Sequence, residues 1–178
     1  FTLPDGQAMD GVKEAISLEN VRLVGLHCHI GSQIFAMQSF QHATSIMMDF
    51  IAEVKKTSGY ELMELDMGGG FGIYYYHGDE PPDVEDWAEA VMLTVESKAK
   101  ELGLTTPRVI VEPGRSIAGS AGVTLYLAGS VKEVKGIRKY LAVDGGMGDN
   151  PRPALYGSKY TAIVANRANE AAVETVSI

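Results

Sequence analysis

Short apolar segments alternate with longer segments of mixed polarity through the first two thirds of the chain. Three of the short segments, residues 21–28, 61–67 and 108–112, are rich in Val, Leu, Ile and Met, and glycine or proline follows each within a few residues. Short apolar runs that end at turn residues are typical of buried strands. The pattern therefore predicts three strands in this part of the chain.

The segments between these strands have the spacing of helices. Between residues 39 and 57, apolar side chains recur at three- and four-residue steps, which predicts a helix with one buried face that ends at Gly59. Residues 84–102 predict a second helix, with Asp83 as its N-cap and Gly103 after its last residue. Strands that alternate with helices form parallel sheets with right-handed crossovers, so the predicted fold class is α/β.

The pattern changes after residue 120. Val123, Leu125 and Leu127 alternate with smaller or polar residues, and residues 139–144 form another short apolar segment with no long helix before it. This alternation predicts a change to antiparallel strands. The tail over residues 160–178 contains two further β-like stretches.

Two domains follow from this change of pattern. We predict one α/β domain over residues 1–118 and the beginning of a β domain over residues 119–178. The chain starts at Phe1 and ends at Ile178 without a terminating turn, so we expect it to be a piece of a longer protein.

Composition narrows the class of protein. The 178 residues are 46% hydrophobic and 21% charged, which is typical of a folded domain. A net charge of −8 argues against a nucleic-acid partner, and no apolar run approaches the roughly 18–20 residues that span a bilayer. The single cysteine, Cys28, excludes an intramolecular disulfide, suits a reducing compartment and is expected to be a packing residue. We therefore expect a cytoplasmic protein.

Chemically distinctive residues follow each of the three predicted strands. They are His29-Ile30-Gly31-Ser32, Gly68-Gly69-Gly70 and Glu112-Pro113-Gly114-Arg115. Because the carboxyl ends of parallel strands meet at one edge of a sheet, we expect these segments to lie together and to form the site of chemistry.

Each of these segments has a chemical interpretation and a structural alternative. The glycine run lets the backbone approach a ligand and point N–H groups at a phosphate, or it is a flexible turn. Arg115 can bind a carboxylate or phosphate through two parallel hydrogen bonds, with Pro113 fixing the backbone and Gly114 allowing the ligand to come close. The alternative is a structural ion pair between Arg115 and Glu112 at a strand end.

The two histidines around Cys28 raise the question of a metal. His27 and His29 are two residues apart, a spacing that metal-dependent barrel hydrolases use, and Asp66 and Glu112 offer oxygen ligands. The other two histidines lie in a helix and a loop, so the ligand set is small and we predict no metal site. We expect His27 to be a core histidine, and the position of His29 just past a strand end also suits stacking on a flat aromatic cofactor as an alternative to metal binding.

A second anion-binding candidate lies late in the chain. Arg152 stands between Pro151 and Pro153, with Tyr156 four residues on, and the two prolines restrict the backbone around the guanidinium. This arrangement suits an arginine that is held in place to bind an anion. The alternative is a solvent-exposed loop.

Taken together, these segments resemble a known family. Residues 25–33, 65–73, 111–116 and 143–157 are similar, in this order and spacing, to the diaminopimelate decarboxylases, pyridoxal-phosphate enzymes of the fold type III, alanine-racemase-like group. The resemblance implies the later portion of a (β/α)8 barrel over residues 1–118, followed by the beginning of a β-sandwich-like domain. The family's Schiff-base lysine and its Cys-Glu pair have no counterpart here, so we expect a fragment that is inactive by itself.

The resemblance also implies roles for residues. His29 is expected to stack on the cofactor ring, and Glu112 to bond the ring nitrogen and keep it protonated. Arg115, Arg152 and Tyr156 are expected to contact the substrate. The expected contacts to the cofactor, pyridoxal 5′-phosphate, are His29, Ser32, Gly68, Gly69, Gly70, Glu112, Pro113, Gly114 and Arg115.

The implied activity is decarboxylation of meso-2,6-diaminopimelate to L-lysine and CO₂ by a cytoplasmic homodimer whose active sites lie at the interface. One alternative is a sister decarboxylase that acts on arginine, ornithine or carboxynorspermidine. Two alternatives belong to other classes: a non-catalytic relative with the same fold, and a metal-dependent barrel hydrolase.

Overall fold

The computed structural model describes residues 1–178 and divides into two compact units. The first unit comprises Phe1–Ile73 and Glu80–Ser120, and the second comprises Tyr74–Asp79 and Ala121–Ile178.

The first unit contains four helices, α1 (Gln7–Ser17), α2 (Met37–Ser58), α3 (Val84–Leu102) and α4 (Arg115–Ala118). The two long ones confirm the predicted helices, and each ends where a glycine takes a left-handed conformation, at Gly59 (φ 73°) and Gly103 (φ 65°). Asp83 is the N-cap of α3 but makes no side-chain capping hydrogen bond. Helix α1 was not predicted from the sequence, and it buries only Met9 and Val12.

Three short parallel strands form the sheet of the first unit. They are β1 (Gly25–His27), β2 (Glu64–Asp66) and β3 (Arg108–Ile110), hydrogen-bonded in the order β1-β2-β3. Leu26, Leu65 and Val109 lie side by side in this register. The α/β class with parallel strands and helical crossovers is therefore confirmed, although each strand is shorter than its apolar segment because only three residues pair in register.

The core of the first unit lies between its long helices and its sheet. Fifteen hydrophobic residues between Met9 and Ala99 are buried, and the face of α2 predicted to be apolar contributes Phe40, Met47, Phe50, Ile51 and Val54. Trp87 of α3 packs edge-on against Phe40, with ring centroids 5.4 Å apart. The predicted amphipathic faces of both helices thus form the core that holds the strands in place.

The second unit has a different character. Strands β4 (Ala128–Val134) and β5 (Arg138–Val143) pair antiparallel, and a short helix, α5 (Arg152–Tyr156), follows. None of its residues is buried.

Two predictions for this region are wrong. Residues 123–127 form no strand, and the tail from residue 160 to 178 contains a short 3₁₀ turn (Ala165–Arg167) and a single bridge between Ser177 and Tyr140 in place of β-strands. Alternating polarity produces a strand only where a partner strand supplies a ladder of hydrogen bonds. Residues 123–127 pair with no strand, and the tail pairs with β5 only at Ser177. The predicted short strand near residues 139–144 is confirmed as β5.

None of the helices combines the length and the apolar character that crossing a bilayer requires.

Candidate active site

A cleft of about 200 Å³ lies where the three strands of the first unit end. Its wall contains six residues that the sequence singled out and two, Phe71 and Ser116, to which it gave no role. The lining residues are His29, Ser32, Gly70, Phe71, Glu112, Gly114, Arg115 and Ser116. The expectation that the strand-end segments lie together therefore agrees with the structure, because each of the three segments contributes to one cleft.

The glycine run is packed tightly between its two neighbours. Gly68 donates its N–H to Asp66 Oδ1 (2.9 Å), and the Glu112 N–H donates to the Gly68 carbonyl oxygen (2.8 Å). A Cβ on Gly68 would lie 2.8 Å from the Cys28 carbonyl oxygen, and one on Gly69 would collide with the Glu112 carbonyl oxygen. Both glycines are buried and do not line the cleft, so the structure gives them a packing reason to be glycine.

Gly70 is the member of the run that reaches the cleft. Its φ of 93° lies in the region that favours glycine, and a Cβ there would collide with the Gly31 carbonyl oxygen. Contact of a cofactor with Gly68, Gly69 or Pro113, which also lies outside the lining set, stays a prediction.

A backbone hydrogen bond orients the imidazole of His29. The Gly69 N–H donates to His29 Nδ1 over 3.2 Å. An imidazole that accepts at Nδ1 carries its proton on Nε2, so this bond sets both the orientation of the ring and its neutral tautomer.

His27 is not the core histidine that the sequence predicts. Its side chain is 52% exposed, and its Nε2 lies 3.2 Å from Glu112 Oε2. A carboxylate only accepts hydrogen bonds, so His27 Nε2 is the donor. The apolar strand around His27 favoured burial, but its imidazole lies beside the carboxylates of Asp66 and Glu112 and not in the apolar core.

His27, Glu112 and Asp66 also form the cluster of ligand atoms that a metal ion would need. One atom from each lies within 4.8 Å of the others, with Asp66 half-buried and the other two exposed. Glu112 belongs to this cluster and to the cleft, so a metal ion and a cleft ligand would compete for the same carboxylate.

Arg115 is held by a residue that sequence reasoning passed over. Its Nη1 donates to Gln33 Oε1 over 3.1 Å. Gln33 itself is fixed to the backbone of Ile73 by two further hydrogen bonds. No local pattern reveals such a role, because the three residues lie far apart in the chain.

Cys28 is a half-buried thiol beside the glycine run. Burial, and then the nearby Asp66 carboxylate, raises the pKa of the Cys28 thiol above its ordinary range. A raised pKa disfavours the thiolate, which agrees with the predicted packing role.

Arg152 and Tyr156 belong to the second unit. Both lie in α5, with the Arg152 guanidinium 5.5 Å from the centroid of the Tyr156 ring. The Arg152 Nε is buried and has no hydrogen-bond partner. Their contact with a substrate stays a prediction.

Comparison with known proteins identifies the family. Residues 2–119 match the sequence model of the family described as "Pyridoxal-dependent decarboxylase, pyridoxal binding domain". Diaminopimelate decarboxylase of Bacillus subtilis (strain 168) is 44% identical over 178 residues, which cover 100% of this chain and 40% of that relative. The enzyme of the same name from Corynebacterium efficiens is 45% identical over 174 residues, covering 96% and 38%.

Solved structures give the same relationship. The crystal structure of diaminopimelate decarboxylase from M. jannaschii in complex with L-lysine is 38% identical with a TM-score of 0.79, over 89% of this chain and 36% of that one. Lysine/ornithine decarboxylase from Vibrio vulnificus, 22% identical with a TM-score of 0.73 over 90% of this chain and 41% of that one, shares the fold. The chain spans about two fifths of the length of the curated relatives it matches. It belongs to the pyridoxal-dependent decarboxylase family, in which pyridoxal phosphate is the cofactor, and its first unit is part of the fold type III barrel that binds it.

Proposed function

We propose that the protein containing this chain decarboxylates meso-2,6-diaminopimelate to L-lysine and CO₂. The observation that carries the proposal is the single cleft in which His29, Glu112 and Arg115 meet. Relatives 44% and 45% identical are named diaminopimelate decarboxylase, and the M. jannaschii structure contains L-lysine. These names favour diaminopimelate over arginine, ornithine or carboxynorspermidine.

The residues of the cleft suit pyridoxal phosphate. An oriented imidazole offers a flat face for a ring, and a carboxylate accepts a hydrogen bond from a protonated ring nitrogen. Ser32, Ser116 and Arg115 supply the hydroxyl and guanidinium donors that phosphate needs. A Cβ on Gly114 would have no atom within 4 Å, so the backbone there borders open space that a ligand can enter.

When bound, pyridoxal phosphate supplies an electron sink for the pair of electrons that remains when CO₂ departs. Glu112 accepts the hydrogen bond of the ring N–H and keeps that proton in place, which strengthens the sink. His29 stacks on the ring and holds its plane. The guanidinium of Arg115 binds an anionic group, either the phosphate or a substrate carboxylate.

Further parts of the proposal concern the rest of the protein. Residues 119–178 begin the β domain, from which Arg152 and Tyr156 contact the substrate. The active enzyme is a cytoplasmic homodimer with its active sites at the interface.

Replacing one carboxylate tests the proposal. In the enzyme that contains this chain, Glu112→Gln should lower the rate of lysine formation from meso-diaminopimelate by about 100-fold or more, since it weakens the sink. The affinity for the cofactor should fall by less than about tenfold, since one hydrogen bond is weakened. Glu89→Gln, at an exposed position of α3, is the matched control.

Three outcomes would contradict parts of this proposal. An unchanged rate in Glu112→Gln would show that Glu112 does not strengthen the electron sink. Faster release of CO₂ from arginine, ornithine or carboxynorspermidine than from diaminopimelate would identify a sister enzyme. Stoichiometric zinc in the purified protein, with no binding of pyridoxal phosphate, would assign the His27, Asp66 and Glu112 cluster to a metal.

A further inference from the structure

Gln33 has a backbone conformation that its residue type disfavours. Its φ is +59°, and among residues 1–178 it is the only residue other than glycine with a positive φ. In this region the Cβ of an L-residue crowds the backbone, and non-glycine residues there cluster at functional sites. A local requirement of the structure therefore holds Gln33 in place.

The side-chain amide of Gln33 makes three hydrogen bonds. Its Nε2 donates to the Ile73 carbonyl oxygen (2.5 Å), and its Oε1 accepts from the Ile73 N–H (3.2 Å) and from Arg115 Nη1 (3.1 Å). The reversed amide orientation would place the NH₂ group against two donors, so these partners fix which end is oxygen. The two bonds to Ile73 hold the oxygen that receives the guanidinium.

The backbone around Gln33 is joined to the glycine-run loop. The Ile34 N–H donates to the Gly70 carbonyl oxygen (3.0 Å), and the Gly72 N–H donates to the Ile34 carbonyl oxygen (3.1 Å). Ser32, directly before Gln33, and Gly70 both line the cleft. Gln33 thus connects the segments that follow β1, β2 and β3 at one point on the edge of the cleft.

We propose that Gln33 is a positioning residue that orients the Arg115 guanidinium toward an anionic oxygen group of the ligand. The proposal rests on the proposed function and deepens it. A long arginine side chain has many rotamers. A fixed acceptor restricts them before the ligand arrives, so less conformational entropy is lost when the anion binds. The anion is either the phosphate of the cofactor or a carboxylate of the substrate, since a guanidinium binds both in the same way.

Binding of unreactive ligands to the full-length enzyme that contains this chain tests this without measuring catalysis. Pyridoxine 5′-phosphate carries an alcohol where the cofactor has its aldehyde, so it forms no covalent bond to lysines, and pyridoxine is its uncharged match. meso-Diaminopimelate, added after saturation with pyridoxine 5′-phosphate, probes the carboxylate. Calorimetry measures each affinity in the parent, Gln33→Gly, Gln33→Glu, Arg115→Met and the double variant Gln33→Gly/Arg115→Met.

The variants separate positioning from folding. Glycine accepts a φ of +59°, so Gln33→Gly removes the amide without forcing the backbone. We expect its affinity for one of the two anionic ligands to fall on the order of five- to tenfold, with pyridoxine unaffected. The double variant should bind no more weakly than Arg115→Met, because Gln33 acts through Arg115. Gln33→Glu should also weaken anion binding, since its charge would neutralise the guanidinium.

The ligand that loses affinity names the anion: pyridoxine 5′-phosphate for the phosphate, diaminopimelate for the carboxylate. If Arg115→Met weakens anion binding and Gln33→Gly does not, the positioning role is overturned while the proposed function stands. Equal losses for pyridoxine and its phosphate in Gln33→Gly would also overturn it, since they would show a general structural effect. If the unsubstituted enzyme that contains this chain binds neither ligand, the proposed function fails together with this inference.

Discussion

The two units differ in how much apolar surface they bury. The first unit contains all fifteen buried hydrophobic residues, among them Leu65, Met48 and Val95 at 0% exposure. In the second unit no residue is buried, and Val123 and Val173 are 89% and 93% exposed. Full burial of one such side chain contributes about 1.5–3 kcal/mol, so the first unit has a source of stability that the second lacks.

The difference explains where the candidate chemistry lies. The buried faces of α2 and α3 pack on the sheet, and Phe71, on the wall of the cleft, packs against Trp87 with ring centroids 4.3 Å apart. The cleft is therefore attached directly to the core. The β4–β5 pair of the second unit is a two-stranded sheet, which is marginal by itself. Precise placement of polar groups requires a rigid support, and only the first unit provides one in this chain.

Deletion of one core side chain should give the largest effect. Leu65→Ala, at the centre of the sheet, should lower the free energy of unfolding by about 2–5 kcal/mol, because it removes buried methyl groups and leaves a cavity. Urea unfolding followed by the fluorescence of the single tryptophan, Trp87, measures it.

The matched variant lies in the second unit. Leu141→Ala, at a half-buried position of β5, should change the free energy of local unfolding by less than about 1 kcal/mol. Amide hydrogen exchange in β4 and β5 measures this change. Equal losses in both variants would show that the second unit has a core of its own, and the comparison would fail.

The same contrast decides how far the sequence predicts the structure. Helices α2 and α3 were predicted with nearly correct ends, because an amphipathic face that packs on a sheet leaves a regular pattern and glycine marks the stop. The alternation at Val123, Leu125 and Leu127 has no packed face behind it, and the predicted strand did not form there. Local pattern predicts structure where burial enforces it.

The candidate site follows a similar rule. The positions of His29, Gly70 and Glu112 were predictable because parallel strands end at one edge. The pairing of His27 with Glu112 and the contact of Gln33 with Arg115 were not, because each joins two residues more than 80 positions apart in the chain. Such contacts depend on tertiary packing and leave no periodic pattern in the sequence.

A single methyl group in the glycine run should have the next largest effect. Gly69→Ala places a Cβ against the Glu112 carbonyl oxygen, so either the loop after β2 or the segment after β3 must move. The free energy of unfolding should fall by about 1–3 kcal/mol. The affinity for pyridoxine 5′-phosphate should fall with it. Gly146→Ala in the second unit, where a Cβ has no atom within 4 Å, should change neither quantity. Wild-type behaviour of Gly69→Ala would show that the strand ends are not close-packed.

The rate at which a cysteine thiol is alkylated compares solvent access at one position in each unit. Cys28 has a raised pKa caused by burial and by Asp66, so at pH 8 its reaction with iodoacetamide should be severalfold slower than that of a cysteine at exposed Ala171. The rates should converge as pH rises past the pKa of both thiols, apart from the remaining steric difference. Mass spectrometry of Ala171→Cys resolves the two sites in one sample. Equal rates at pH 8 would mean that Cys28 is as solvated as the tail.

Ion pairs at the surface, each between a half-buried lysine and an exposed carboxylate, should give the smallest effects, and nearly the same in both units. Lys98 pairs with Asp49 (2.6 Å) in the first unit and Lys139 with Glu174 in the second, and the hydrogen bond to the carboxylate raises the pKa of each lysine. A lysine pKa raised by folding stabilises the fold fully below its unfolded value, about 10.4, and this contribution is lost as pH rises through the folded value.

Asp49→Asn and Glu174→Gln should therefore each have a small effect at pH 7 that is lost as pH rises through the raised pKa of the paired lysine, measured as the difference in amide exchange from the parent. If Glu174→Gln instead unfolded the second unit at pH 7 while Asp49→Asn left the first unit intact, the second unit would depend on the ion pair that joins its tail to β5. The two units would then be stabilised by different interactions, the first by apolar burial and the second by an ion pair. Matching small effects would leave buried apolar area as the quantity that distinguishes them, because exposed charges contribute little wherever water competes for them.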